Sequence, residues 1–160
     1  MGAERLCRMI EAARWIGVVA GFALAYGHWT AAEERLHLLA PWLVGSLAGL
    51  TGIESVFLGP AAARLSGYAP SAYQRQSGMN NLALAATALL AHALGWGAAA
   101  DMAVVSALLI FLSLSAANHL WSAWREGNLA PRGFARPAAT AALLAATLPL
   151  LAAVAGTPGR

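Results

Sequence analysis

The chain of 160 residues contains no lysine, a single cysteine and few charged side chains of either sign. Only 11% of its residues are charged, whereas 59% are hydrophobic and the mean hydropathy is +0.61. A soluble protein of this length could not cover its surface with so few polar side chains, so we expect lipid to surround it. The lone Cys7 excludes an intrachain disulfide and a metal cage made only of cysteines.

The basic residues are arginines scattered between apolar segments, although the net charge is +3 and the pI is near 9.8. Nucleic-acid binding calls for basic side chains clustered on one surface, so we expect the lipid bilayer and no nucleic acid as a partner. The chain also lacks a P-loop, a glycine-rich dinucleotide turn, a Gly-x-Ser-x-Gly elbow and a His-Glu-x-x-His helix. The sequence therefore names no reaction and predicts no cofactor.

Five segments are apolar and long enough to cross a bilayer, whose core of about 30 Å needs about 20 helical residues. They predict an all-α fold, an integral membrane bundle of five transmembrane helices that forms a single domain over residues 1–160. The spans are 14–27, 38–58, 72–95, 102–124 and 137–155. The tryptophans support this class because they stand at the ends of apolar runs, as in the aromatic belts of membrane proteins. They are Trp15, Trp29, Trp42, Trp96, Trp121 and Trp124.

Local signals explain several of the predicted helix boundaries. Ser71 and Gln74 have the spacing of a capping box at the start of the third span. Asp101 is expected to cap the fourth span, and Pro137 suits the first position of the fifth, where a missing amide hydrogen costs nothing. Pro149 lies inside the last span and is expected to kink it.

The arginines predict the orientation, because cytoplasmic loops of membrane proteins carry the excess of basic residues. With the N-terminus in the cytoplasm, only Arg35 and Arg160 lie outside the cytoplasmic membrane. The cytoplasmic arginines are then Arg5, Arg8, Arg14, Arg64, Arg75, Arg125, Arg132 and Arg136.

The first segment has an alternative interpretation as a cleaved signal peptide. Arg5 and Arg8 precede a short apolar stretch that ends in the small-residue triplet 23–25. A retained helix is favoured because Glu4 and Glu11 lie in the region that a signal peptide keeps basic.

Polar side chains of the last four spans gather in their cytoplasmic halves. A charged side chain at the bilayer centre costs about 2.5 to 3.5 kcal/mol on insertion scales, so such residues normally face the bundle interior and find partners. The candidate site residues at this depth are Glu54, Gln76, Asn80, Asn81, Asn118, His119 and Arg136. They predict a pocket, open to the cytoplasm, that binds or passes a small molecule or a lipid headgroup.

Simpler structural roles remain open for these residues. Asn80, Asn81 and Asn118 also suit interhelical hydrogen bonds with no ligand. Glu54 and Arg75 suit a buried ion pair that specifies packing. His119 suits a buried histidine with its hydrogen bonds satisfied.

The sequence leaves two other functions open besides a binding pocket. One is an intramembrane enzyme that acts on a lipid or isoprenoid, with His119 or Glu54 as general acid or base. The other is a structural or assembly subunit. A homo-oligomer would form through glycines at the spacing used for close helix packing, namely Gly17, Gly21, Gly45 and Gly49.

The remaining histidines belong to the other side of the membrane. His92 lies near the outer end of the third span, and His28 and His37 are placed in a solvated outer loop. The charged neighbours in that loop are Glu33, Glu34 and Arg35. Because His92 and His119 should lie at opposite depths, we expect no metal site that combines them.

Several short segments resemble a family of small bacterial multi-span membrane proteins of unknown function. They include residues 52–57 and 78–82, Pro-Ser-Ala-Tyr-Gln at 70–74, and His119 followed by Gly-Asn-Leu-Ala-Pro at 127–131. The resemblance covers about residues 52–149 and implies a five-helix membrane fold without an activity. Many members of that family have acidic residues where this chain has Gln76 and Thr140, so their proton or cation chemistry is not carried over.

Overall fold

The computed structural model describes residues 2–28, 30–127 and 131–156; at positions 132 and 133 it describes only the backbone. Its secondary structure is helical throughout these residues, which confirms the all-α class. The described helices number six rather than five: α1 Ala3–His28, α2 Ala32–Phe57, α3 Gly59–Leu65, α4 Ala72–Ala93, α5 Ala98–Glu126 and α6 Pro131–Ala155. Trp29, Arg160 and the family-like residues 128–130 lie outside the described residues.

Four of these helices are long and apolar enough to cross a membrane: α1, α2, α5 and the segment Phe134–Ala155 of α6. The prediction of five spans is therefore corrected, because α4 does not qualify. The amides and hydroxyls in its first half lower its hydropathy. Large apolar side chains such as Ile16, Ile110 and Leu114 stay exposed on the outer surface, as lipid contact requires. The fold is compatible with a multi-pass membrane protein.

Helix α2 lies at the centre of the bundle and contacts α1, α4, α5 and α6. Leu36, Leu39 and Leu43 follow one another at helical spacing and are fully buried, because neighbours cover α2 on several sides. The core continues into Val105 and Leu108 of α5 and into α6. This central position lets α2 contribute to sites at both ends of the bundle.

Successive long helices run in opposite directions, so the bundle has two ends. We call the end where α1 begins the arginine end, because most arginines lie there. Those described are Arg5, Arg8, Arg64, Arg75, Arg125 and Arg136. We call the other end the histidine end, since His28, His37 and His92 lie there.

Two helices begin earlier than the sequence predicted. Because α1 begins at Ala3, Trp15 lies near its midpoint rather than at the start of a span. Because α2 begins at Ala32, His37 lies inside this helix, so its placement in a loop is wrong. Polar residues can continue a helix beyond its apolar run, and an apolar pattern alone does not locate such an end.

The boundary signals had mixed outcomes. Ser71 caps α4, and its hydroxyl accepts a hydrogen bond from the backbone amide of Tyr73 at 3.2 Å, but among the described residues Gln74 does not return the second bond of the predicted capping box. Asp101 does not cap α5; the cap residue is Gly97, whose φ of +88° suits a residue without a side chain. Pro137 lies inside α6, because Pro131 is equally suited to the first helical position and comes earlier.

The short helix α3 was missed because seven residues are too few to show an apolar spanning pattern. It follows a break at Leu58, where φ is −125° and ψ is 16°, and it has a proline in its first turn. Its residues Ala61 and Ala62 pack against Cys7 of α1. The helix thereby closes one side of the arginine end.

A π-helical segment, Gly45–Gly49, interrupts α2 shortly after Pro41. A π turn contains one extra residue, which rotates the following side chains by about 100° around the helix axis. Glu54 lies just beyond this segment and is buried. The direction of Glu54 therefore depends on an irregularity that regular helical spacing does not include.

Glycines let α2 and α4 approach each other at backbone distance. A Cβ added at Gly52 would lie 2.8 Å from the carbonyl oxygen of Gly78 and 2.7 Å from Leu82. A Cβ at Gly78 would in turn lie 2.8 Å from Ser55. No larger residue fits at either position without moving a helix.

The α1 glycines that were predicted to bind a partner helix already contact α2 of the same chain. A Cβ at Gly17 would collide with Ser46, and one at Gly21 would lie 2.6 Å from Trp42. Both contacts draw α1 onto α2. A homo-oligomer through Gly17, Gly21, Gly45 and Gly49 stays a prediction.

Candidate functional site

A cavity of about 530 Å³ lies at the arginine end, and all six described helices contribute to its wall. We call it the arginine-end cavity. Its polar lining includes Arg14, Thr51, Glu54, Ser55, Ser77, Asn81, Ser115, Arg136 and Thr140. Its apolar lining includes Leu47, Leu108, Leu112 and Leu143. Such a wall can solvate a polar group on one side and an apolar group on the other.

Glu54 forms a buried ion pair with Arg14 of α1. Arg14 also bonds Glu11, three residues earlier in the same helix, at 2.9 Å. Arg75 is exposed on α4, so the alternative that paired Glu54 with Arg75 is wrong. The ion pair ties α1 to α2 and supplies both charges to the cavity wall.

The role of Arg14 was not predicted from the sequence, because this residue was placed at the cytoplasmic flank of the first span. The signal was present in the helical spacing: Gly17 and Gly21 follow Arg14 at three and seven residues and so share its face. That face packs against α2. An arginine on a packed face of an apolar helix normally pairs with a carboxylate or with backbone carbonyls.

His119 is buried at the junction of α5, α6 and the segment between α3 and α4. Its Nε2 lies 2.8 Å from Nη1 of Arg136, and its Nδ1 lies 2.9 Å from the Tyr68 hydroxyl. A guanidinium group can only donate, so Nε2 accepts and Nδ1 carries the proton that it donates to Tyr68. Both ring nitrogens are thus engaged by the protein.

The partners of His119, rather than the imidazole itself, line the arginine-end cavity. Tyr68 and Arg136 belong to the wall, and Arg136 also donates to the Ser66 hydroxyl at 3.2 Å. Gly67, between Ser66 and Tyr68, has a φ of +75° and makes the turn that brings them together. His119 is therefore a positioning residue behind the wall.

The structure separates the predicted amide residues. Asn81 is buried and lines the cavity, and Asn118 lines it at an exposed position. Gln76 and Asn80 are exposed and do not belong to the wall. The spacing of four residues between Gln76 and Asn80 predicted that they share a face of α4. The structure shows that the neighbouring face, which carries Ser77 and Asn81, is the one that lines the cavity.

Several lining residues had no prediction from the sequence. Tyr68 and Ser66 come from a connecting segment, whereas Thr51 lies about one turn before Glu54 on α2 and Ser55 directly follows Glu54. Thr51 shares a face with Glu54 and could have been found from that periodicity, whereas the adjacent Ser55 could not.

A second cavity, of about 480 Å³, lies at the histidine end and is lined in part by His37, His92 and Asp101. We call it the histidine-end cavity. Over the described part of the chain, no group of three His, Cys, Asp or Glu residues is arranged to hold a metal ion. Neither cavity therefore has a preformed metal centre made of described residues.

Comparison with known proteins gives a family without an assigned activity. No significant match was found among curated proteins or solved structures. A family model described as "Family of unknown function (DUF6790)" matches residues 11–158, nearly the whole chain. This match is consistent with the resemblance to a family of unknown function. The chain belongs to the DUF6790 family.

Proposed function

We propose that this protein is a multi-pass protein of the bacterial inner membrane whose arginine-end cavity binds or passes a small molecule or a lipid headgroup. The cavity is lined by charged and hydroxyl groups on one side and by leucines on the other, and this observation carries the proposal. The excess of arginines at this end supports a cytoplasmic opening and a cytoplasmic N-terminus.

The charged residues that line the arginine-end cavity indicate which kind of headgroup it would bind. The charged lining residues are two glutamates and two arginines: Glu11, Glu54, Arg14 and Arg136. Because their formal charges cancel, the cavity provides little net attraction for an anion or a cation. We therefore propose an uncharged or zwitterionic polar group with an apolar tail.

Asn81 supplies a specific polar contact for this ligand. Its side chain is 5% exposed and lines the cavity, and it makes no hydrogen bond with the described residues. Buried amides normally have hydrogen-bond partners, and the hydroxyl or carbonyl of a bound headgroup would be one. Asn80, next along α4, is exposed and lies outside the cavity wall.

The test is native mass spectrometry of the protein in a detergent with sugar headgroups. The probes are a dodecanoyl monoacylglycerol, which has both parts, glycerol, which lacks the tail, and dodecane, which lacks the headgroup. We expect the monoacylglycerol to form a one-to-one adduct, and glycerol and dodecane to form none at the same concentration. A ligand of this cavity should contact both its polar lining and its leucine lining.

The variants Asn81→Leu and Ser115→Phe remove a polar contact and fill the cavity, respectively. Both should lose the monoacylglycerol adduct, whereas Asn80→Leu, the matched change outside the cavity, should keep it. Equal adducts in Asn81→Leu and Asn80→Leu would show that the probe binds the outer apolar surface and would contradict the proposal.

The two other functions have less support. An acid–base role for His119 conflicts with the engagement of both its ring nitrogens by Arg136 and Tyr68. An assembly role through the α1 glycines conflicts with their use against α2 inside the chain. Neither function is favoured by a specific observation.

A further inference from the structure

The histidine-end cavity is negatively charged, in contrast to the balanced cavity at the other end. Three carboxylates line it, those of Glu33, Glu34 and Asp101, and no arginine belongs to the part of its wall that the structure describes. Leu38 and Ala98 supply apolar wall beside them. A cavity of this kind attracts cations.

Asp101 is the most informative residue of this wall, because it is buried and only half satisfied. It is 1% exposed, and its Oδ2 lies 2.8 Å from Nδ1 of His37. Its Oδ1 has no hydrogen-bond partner among the described residues. A buried carboxylate oxygen that accepts no hydrogen bond costs free energy, so a ligand that donates a hydrogen bond to Oδ1 would bind favourably.

The charge of Asp101 is supported by its position. Asp101 lies in the first turn of α5, where the positive end of the helix dipole stabilises a negative charge. The hydrogen bond from His37 stabilises the same carboxylate. The anion is therefore held in place by its own helix and by α2.

The two histidines present acceptors to the cavity. His92 Nδ1 lies 3.0 Å from the carbonyl oxygen of His37, which can only accept, so this nitrogen carries the proton. His37 Nδ1 likewise donates to the Asp101 carboxylate. In the neutral rings, which stack with centroids 4.4 Å apart, each Nε2 is left as an acceptor.

We propose that the histidine-end cavity is a binding site for a small organic cation with a primary ammonium group. An ammonium group carries three N–H donors and a positive charge. These match the acceptors of the wall and Asp101 Oδ1, which lacks a partner among the described residues. The alkyl part of the cation would contact Leu38 and Ala98. A metal ion fits less well, because the described residues offer no group of three ligands arranged around one point.

Isothermal titration calorimetry in a detergent with sugar headgroups, at neutral pH, tests this site with three probes. Butylammonium has N–H donors, tetramethylammonium has the charge without them, and Zn²⁺ represents a metal. We expect butylammonium to bind about tenfold or more tightly than tetramethylammonium, because only butylammonium can donate to Oδ1. Zn²⁺ should bind more weakly than butylammonium.

Asp101→Asn removes the charge and nearly preserves the shape, and it should weaken butylammonium binding by about tenfold or more. Glu126→Gln, the matched change at the other end of α5, should leave binding unchanged. Thermal unfolding of each variant reports whether it is folded. If Asp101→Asn does not fold, Glu33→Gln and His37→Gln should each weaken butylammonium binding instead.

Four outcomes would overturn the proposal: no butylammonium binding to the wild-type protein, equal binding of the two ammonium ions, equal binding by folded Asp101→Asn and Glu126→Gln, or tighter binding of Zn²⁺. None of them affects the amphiphile proposal, since the monoacylglycerol experiment uses residues at the arginine end.

Discussion

The two ends of the bundle hold buried charge in different ways. At the arginine end, the carboxylate of Glu54 meets the guanidinium of Arg14, and the partners lie on different helices. At the histidine end, the carboxylate of Asp101 meets a half-exposed imidazole through one oxygen and leaves the other oxygen without a described partner. Both pairs join two helices, but the second pairs a buried carboxylate with a partly exposed histidine and leaves one carboxylate oxygen without a described donor.

This difference separates stability from binding. A buried ion pair is strongly destabilising to break, because one charge then remains buried without a partner. A buried acceptor without a donor contributes little to the free energy of folding, but it can contribute to the affinity for a ligand that donates a hydrogen bond to it. Substitutions at the two ends should therefore have opposite profiles in unfolding and binding experiments.

The largest loss of stability is expected for Glu54→Gln. Arg14 is 5% exposed and would keep only Glu11 as a carboxylate partner, so the free energy of unfolding should fall by about 3 kcal/mol. Reversible unfolding in mixed dodecyl maltoside and SDS measures this change. Arg75→Met, a charge removal at an exposed site of the same end, should change it by less than about 0.5 kcal/mol.

The double variant Arg14→Met/Glu54→Met removes both charges and should recover most of that loss. A loss below about 1 kcal/mol in Glu54→Gln would contradict the role of the ion pair as the link between α1 and α2.

The next largest loss is expected for Gly52→Ala, which forces α2 away from α4 at the arginine end. The new Cβ would meet the Gly78 carbonyl oxygen, which belongs to the backbone and cannot rotate away, so we expect a loss of about 2 kcal/mol. Gly45→Ala is the control in the same helix, because its Cβ meets nothing within 4 Å. Similar losses in both variants would contradict the role of the close approach at Gly52, because alanine by itself favours a helix over glycine.

A smaller loss is expected for Tyr68→Phe. It removes the acceptor for the Nδ1 proton of His119, which should cost about 1 kcal/mol of unfolding free energy. Tyr73→Phe is the matched control, since this side chain is 80% exposed. Equal melting temperatures for the two variants would contradict a stabilising hydrogen bond between Tyr68 and His119.

The smallest change in stability is expected for Asp101→Asn. His37 is 39% exposed on its side chain, so the pair is partly screened by solvent and its loss should cost less than about 1 kcal/mol. The same substitution should nevertheless have the largest effect on butylammonium binding. If Asp101→Asn lowered the free energy of unfolding as much as Glu54→Gln does, the proposed difference between the two ends would be contradicted.

The helical class and the approximate places of the five long helices were predictable, because long apolar runs have few alternatives to helices. The short α3 was not predictable in this way, and neither was the rotation that the π segment imposes before Glu54. Helix ends were misplaced where polar residues extend a helix, as at Ala3 and Ala32.

The candidate site was predictable in its location and less so in its partners. Spacing found the polar stripe of α5 that contains His119, because helical periodicity is a local property, whereas on α4 it singled out Gln76 and Asn80 rather than Asn81. Pairing is not local: Arg14 with Glu54, and His37 with Asp101, join residues far apart in the chain. A single sequence does not show which helix faces which.

The most direct test of two separate sites is native mass spectrometry of one sample that contains both monoacylglycerol and butylammonium. The wild-type protein should carry one molecule of each. Asn81→Leu should lose only the monoacylglycerol, and Asp101→Asn should lose only the butylammonium. Loss of both ligands from either folded variant, or of neither from both, would contradict the division of the bundle into an amphiphile end and a cation end.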